Sequence, residues 1–141
     1  MFVLDTDHLS LMEWSAGTAR QRLLRRLSGN PPGEVFTTIV TYEEQTRGWM
    51  SYAAHARTTA QQVEAYSKLG RHLDIYRRVQ VLGFDDRAGT EFERLRSACP
   101  RVGAMDLKIA AIALAHSATV LTRNLKDFSR VPGLRVEDWT V

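Results

Sequence analysis

Apolar residues along this chain recur in two alternating rhythms, one short and one helical. FVLD at residues 2–5, EVFTTIV at 34–40, VQVLGF at 79–84, TVLT at 119–122 and LRVEDW at 134–139 are short, apolar or β-branched runs. Each predicts a buried strand. Between them lie segments with helical spacing: HLSLMEW, RQRLLRRLS with its Leu23, Leu24 and Leu27 stripe, a stretch from Thr41 to about Ala54, and the long TTAQQVEAYSKLGRHLDIYRRV. DRAGTEFERLRSAC and the nearly all-apolar VGAMDLKIAAIALAHSA complete the set, and SGNPPG reads as a loop. Strands alternating with helices predict an α/β fold whose parallel sheet is covered on both faces. No internal repeat, low-complexity tract or second domain is visible, so residues 1–141 are read as one domain.

In open sheets of this kind, ligands gather beyond the carboxyl ends of the strands. The residues that follow each strand therefore matter most. Asp5 and Asp7 follow the first strand, Glu43 and Glu44 the second, and Asn124 and Asp127 the fourth, while Asp106 opens the helix before it. Acidic groups are thus expected along one edge.

Each has a competing structural explanation. Asp5 ends an apolar strand, where a carboxylate needs a cation or several donors; it is read as functional. Asp7 sits where a helix N-cap belongs and is expected to cap. Thr41 and Glu44 match a capping box, although Glu44 also lies at the ligand edge. Glu43 has a structural partner in Arg47, four residues on in the favourable order. Asp106 shares a helix face with Ile109, Ala110 and Ala113, and Lys108 lies about 200° round the helix, too far to neutralise it. A dipole-complementing role does not explain that apolar face, so Asp106 is assigned to the site.

Composition narrows the chemistry. The chain is 44% hydrophobic and 25% charged, ordinary for a globular protein. Its single Cys99 forms no internal disulfide, which fits a reducing cytoplasm and excludes a thiolate cluster. No leader is expected, because Asp5 interrupts the first apolar run, and no stretch approaches the roughly 20 residues of a membrane span. The four histidines show no zinc spacing, and GxSxG, P-loop and GxGxxG motifs are absent. Nineteen basic residues against 16 acidic ones give a net charge of +3. Arginines cluster at Arg20, Arg22, Arg25 and Arg26 and at Arg71, Arg77 and Arg78, as a solvated helix face or as a grip on phosphate. Trp14, Trp49 and Met50 are expected in a core or an interface.

Four stretches together resemble the PIN-domain family, and in particular the VapC-type toxin ribonucleases. FVLDTDHLS is similar to the opening motif and places the first acid at Asp5. TTIVTYEEQTRG is similar to the second, an acid followed four residues later by glycine, which Glu44 and Gly48 fit. VGAMDLKIAAIALAHSATVLTRNLKDF resembles the third and fourth motifs, with the third acid at Asp106, and VPGLRVEDW resembles the ending of many members. One departure stands at the fourth acidic position, held by Asn124, with Asp127 three residues on. The resemblance implies a three-layer α/β/α fold with a mostly parallel sheet of four to five strands. It also implies Mg²⁺- or Mn²⁺-dependent cleavage of RNA, with Asp5, Glu44 and Asp106 holding metal and Asn124 completing the catalytic set. It implies an antitoxin partner and a homodimer formed around residues 41–78. Two rivals remain: a PIN-like scaffold that binds RNA or protein without cleaving, and a haloacid-dehalogenase-like phosphatase, whose DxD motif DTD also matches.

Overall fold

The computed structural model describes residues 1–141 and has five strands: β1 (Phe2–Leu4), β2 (Val35–Thr38), β3 (Val81–Leu82), β4 (Thr119–Leu121) and β5 (Arg135–Glu137). All pair in parallel in the order β3-β2-β1-β4-β5. Seven helices connect and cover them: α1 (Thr6–Trp14), α2 (Thr18–Ser28), α3 (Ile39–Ala54), α4 (Thr59–Arg78), α5 (Asp86–Ala98), α6 (Ala104–Ala115) and α7 (Leu125–Phe128). The sheet is wholly parallel, and its two covered faces give the expected three layers.

The period-two alternation of strands sorts the core. Val3 and Val120 point to one face, among Leu95, Ile109, Ile112 and Phe128. Leu4 and Leu121 point to the other, with Leu9, Leu11, Leu23 and Trp139. Helix α6 is buried nearly all round, as its unbroken apolar composition requires.

Two local expectations are overturned. Helix α3 begins at Ile39, not Thr41: the Thr38 hydroxyl accepts the Thr41 amide at 3.1 Å and caps it. Ile39 and Val40 are β-branched, but this cap turns them from strand into helix. Thr41 is therefore inside the helix, and Glu44 closes no capping box on it. At α1 the N-cap is Asp5, whose side chain accepts the Thr6 amide, and Asp7 lies inside the first turn. Two short elements escape the sequence reading: α7 and a 3-10 turn at Pro32–Glu34, which runs from the expected loop into the first residue of EVFTTIV.

The strand order has one reversal. From central β1 the chain winds outward to β2 and β3, then returns to β4 on the other side of β1. The register sets Leu4 level with Leu121, so Asp5 and Thr122 emerge side by side at this reversal. Crevices form there in doubly wound sheets, because the two crossovers lead away from each other.

Candidate active site

Asp5 is held at that crevice from both sides. Its amide donates to Leu121 O at 3.0 Å. Its Oδ1 accepts the Thr6 amide at 2.7 Å and its Oδ2 accepts the Thr122 hydroxyl at 2.8 Å. The residue is only 6% exposed. Burial, then the nearby Asp7 charge, pushes its carboxyl from 3.8 up to about 7, against the opposing pull of the Thr122 and Thr6 hydrogen bonds.

Asp7 faces the same crevice instead of capping. Its Oδ2 accepts the Arg123 amide at 3.0 Å, which ties α1 to the loop after β4. The Thr122 hydroxyl lies 3.3 Å from that oxygen but has one proton, and the shorter bond to Asp5 takes it. Behind Asp7, the wholly buried His8 accepts the Trp139 amide at Nε2, 3.2 Å away. Its Nδ1 therefore carries the proton and donates to Asp7 Oδ1 at 2.9 Å.

Glu44 enters from α3 and is half-buried. Its Oε1 is enclosed by protein and has no hydrogen-bond partner. Burial raises its carboxyl, the Asp106 charge adds to this, and the Thr6 hydroxyl offsets part. Asp106, half-buried in the first turn of α6, is raised by burial and then by Asp127 and Asp7. Asn124 leads α7, and its amide nitrogen donates to Asp127 Oδ2 at 3.1 Å and to Asp106 Oδ2 at 3.4 Å. At the fourth position a neutral donor thus holds two carboxylates together.

The structure brings Asp5, Glu44, Asp106 and Asn124 to one crevice and adds Asp7 and Asp127. No three of the carboxylates close to the distances at which one ion would bind them all. The donor set fits a hard divalent cation, because it is entirely oxygen and includes the partnerless Glu44 Oε1. Thr122 and His8 were not legible as site residues: a threonine ending a strand and a lone histidine in an apolar helix carry no signal of what they will face.

The arginines divide. Arg26 is committed to Glu137 at 3.2 Å and lies 4.7 Å over the Trp139 ring, and Arg20 donates to Met12 O. Arg123 and Lys126, on the exposed rim beside Asn124, pair with no carboxylate. Glu43 and Arg47 form the expected pair at 2.7 Å.

A family model described as PIN domain matches residues 2–134. The tRNA(fMet)-specific endonuclease VapC of Salmonella typhimurium is 38% identical over 66 residues, 44% of this chain and 50% of that protein, so the match spans half of that relative. The ribonuclease VapC1 of Haemophilus influenzae is 29% identical over 99% of this chain and 98% of its own length. Among solved structures, VapBC-1 from nontypeable Haemophilus influenzae superposes with a TM-score of 0.75 at 24% identity, covering 99% of this chain and 98% of that one, which shows a shared fold. No helix is long and apolar enough to cross a membrane.

Proposed function

Because the chain belongs to the PIN-domain family, we propose that it is a divalent-metal-dependent endoribonuclease acting as the toxin of a type II toxin–antitoxin pair, with residues 1–141 as its nuclease domain. The observation that carries this reading is the convergence of Asp5, Glu44 and Asp106 at the β1–β4 reversal, each carboxyl raised by burial and by a neighbouring acid. Groups so perturbed in a crevice favour a site over a structural role. Similarity to ribonucleases named VapC supports RNA as the substrate. Similarity to VapBC structures supports a small antitoxin as partner.

Asp5, Glu44 and Asp106 would hold Mg²⁺ or Mn²⁺. When bound, such an ion supplies positive charge and Lewis acidity to the scissile phosphate. Hydrolysis adds water across one P–O bond of the RNA backbone. Thr122 fixes Asp5 by donating to Oδ2, leaving the carboxylate no freedom to rotate. The Asn124 amide keeps Asp106 and Asp127 in place by donating to both. Arg123 and Lys126 at the rim attract phosphates toward an otherwise acidic crevice. The exposed apolar stripe of Val63, Tyr66 and Leu73 on α4 supports a homodimer formed through that helix.

The test is cleavage of single-stranded RNA with Mn²⁺, with Mg²⁺ and with EDTA, for wild type and Asp5→Asn. Loss of cleavage in EDTA and in the folded variant is expected; wild-type turnover by Asp5→Asn would remove the site from the reaction. Asn124 favours one second reading, a scaffold that binds without cutting, since it adds no charge where the family pattern has an acid. Binding of Mn²⁺ measured by calorimetry separates the two. Family membership leaves the phosphatase alternative without support.

A further inference from the structure

Beside the acidic crevice runs a groove of about 460 Å³ between α1 and α3, a volume within the range of ligand-binding clefts. Thr6 and Glu44 stand at its acidic end, and Trp14, Trp49 and Tyr52 line it further along. Three features of this wall are unusual. The rings form one cluster, with Trp14 and Trp49 centroids 4.4 Å apart and Trp49 and Tyr52 5.8 Å apart. Cations from α4 back it: Arg71 lies 4.4 Å over Trp14, and Lys68 lies 5.0 Å over Tyr52 and 5.8 Å over Trp49, yet neither lines the groove. Gly48, one turn beyond Glu44, also lines it, and a Cβ there would meet nothing within 4 Å. A mid-helix glycine costs about 1 kcal/mol relative to alanine, and no neighbour in this fold demands it. Its effect is to keep the groove open.

We propose that this groove is a subsite for an unpaired nucleobase of single-stranded RNA, which stacks on the Trp49–Tyr52 wall while its neighbouring phosphate reaches the acidic crevice. The assignment rests on the ribonuclease reading above and deepens it. Stacking on aromatic side chains is the sequence-tolerant way proteins hold unpaired bases. The groove is continuous with the crevice because Thr6, whose amide binds Asp5, belongs to both. The cleavage position is then set by a base one or a few nucleotides from the scissile phosphate.

The probe is a fluorescein-labelled RNA decamer of randomised sequence, titrated in EDTA against the full chain, with an abasic decamer of equal length as control. The RNA should quench tryptophan fluorescence, because Trp14 and Trp49 line the groove, and the abasic chain should not. Trp49→Ala should weaken binding about 5- to 100-fold, the range that stacking of one base supplies, with an unchanged salt slope because no phosphate contact is lost. Gly48→Leu fills the groove while improving helix propensity, so it should bind at least about 10-fold more weakly with an equal or higher melting temperature. If folded Gly48→Leu binds and quenches like wild type, the base subsite is overturned and the groove becomes a face for a protein partner. A protein that binds the decamer as described yet cuts no RNA with Mn²⁺ would sink the nuclease reading instead, and leave the groove standing.

Discussion

At the scale of single residues, Asp5 couples the site to stability. Its ordinary value of 3.8 rises to about 7 in the fold, so the folded chain binds this proton more tightly than the unfolded one. The stabilisation is complete below about pH 4 and is lost as pH climbs through 7. In EDTA, melting temperature should therefore fall between pH 4 and 8. Asp5→Asn should flatten that fall and gain at least about 1 kcal/mol at pH 8, one pKa unit's worth. A variant with the wild-type slope would show that Asp5 is not the group responsible. Asn124→Asp places a further charge between Asp106 and Asp127, which the amide now bridges. It should lower the melting temperature in EDTA and tighten Mn²⁺ binding severalfold by calorimetry; weaker binding would mean that position 124 serves only to position its neighbours. Asp5 and Asp106 stood out because a carboxylate closing an apolar strand, or sharing a helix face with alanines, has no local partner, whereas Glu44 was singled out by the family resemblance, since its spacing from Thr41 also suits a capping box. Asp7 was misread because the sequence cannot say which of two acids two residues apart starts the helix. Here the first caps, and the second is drawn to Arg123 by a contact 116 residues away.

At the scale of elements, hydrophobic rhythm located every strand and the six longer helices, whereas their ends answered to side-chain hydrogen bonds. The run TTIV reads as strand throughout, yet the Thr38 cap ends β2 and starts α3. That cap also sets the rotation of α3, on which Glu44 reaches the crevice and Gly48 the groove. Thr38→Val keeps the shape of a side chain that is 0% exposed and deletes only its hydroxyl. It should cost about 1 kcal/mol in urea denaturation, the worth of a helix cap. A change below a few tenths would mean that the sheet, not the cap, fixes where α3 begins. Helix α7 was not legible because four residues are too few to show a period.

At the scale of the whole molecule, the outer face of α4 carries Val63, Tyr66 and Leu73 at 67%, 66% and 53% exposure, with Gly70 on the same stripe. Charging it with Tyr66→Glu and Leu73→Lys should convert the proposed homodimer to monomer in analytical ultracentrifugation while leaving the melting profile cooperative; a wild-type protein that sediments as monomer at all concentrations removes this face from consideration. The placement of β1 between β2 and β4 has another consequence, in time. The ribosome makes β1 first, yet its second neighbour is not made until residues 119–121. The hydrogen bond from Thr122 to Asp5 spans 117 residues. Contacts that distant form late, after the intervening chain has been synthesised and folded. A nascent chain still attached before residue 119 carries its first acid with no crevice to put it in. The proposed nuclease thus acquires its crevice only once β4 has been made and has paired with β1.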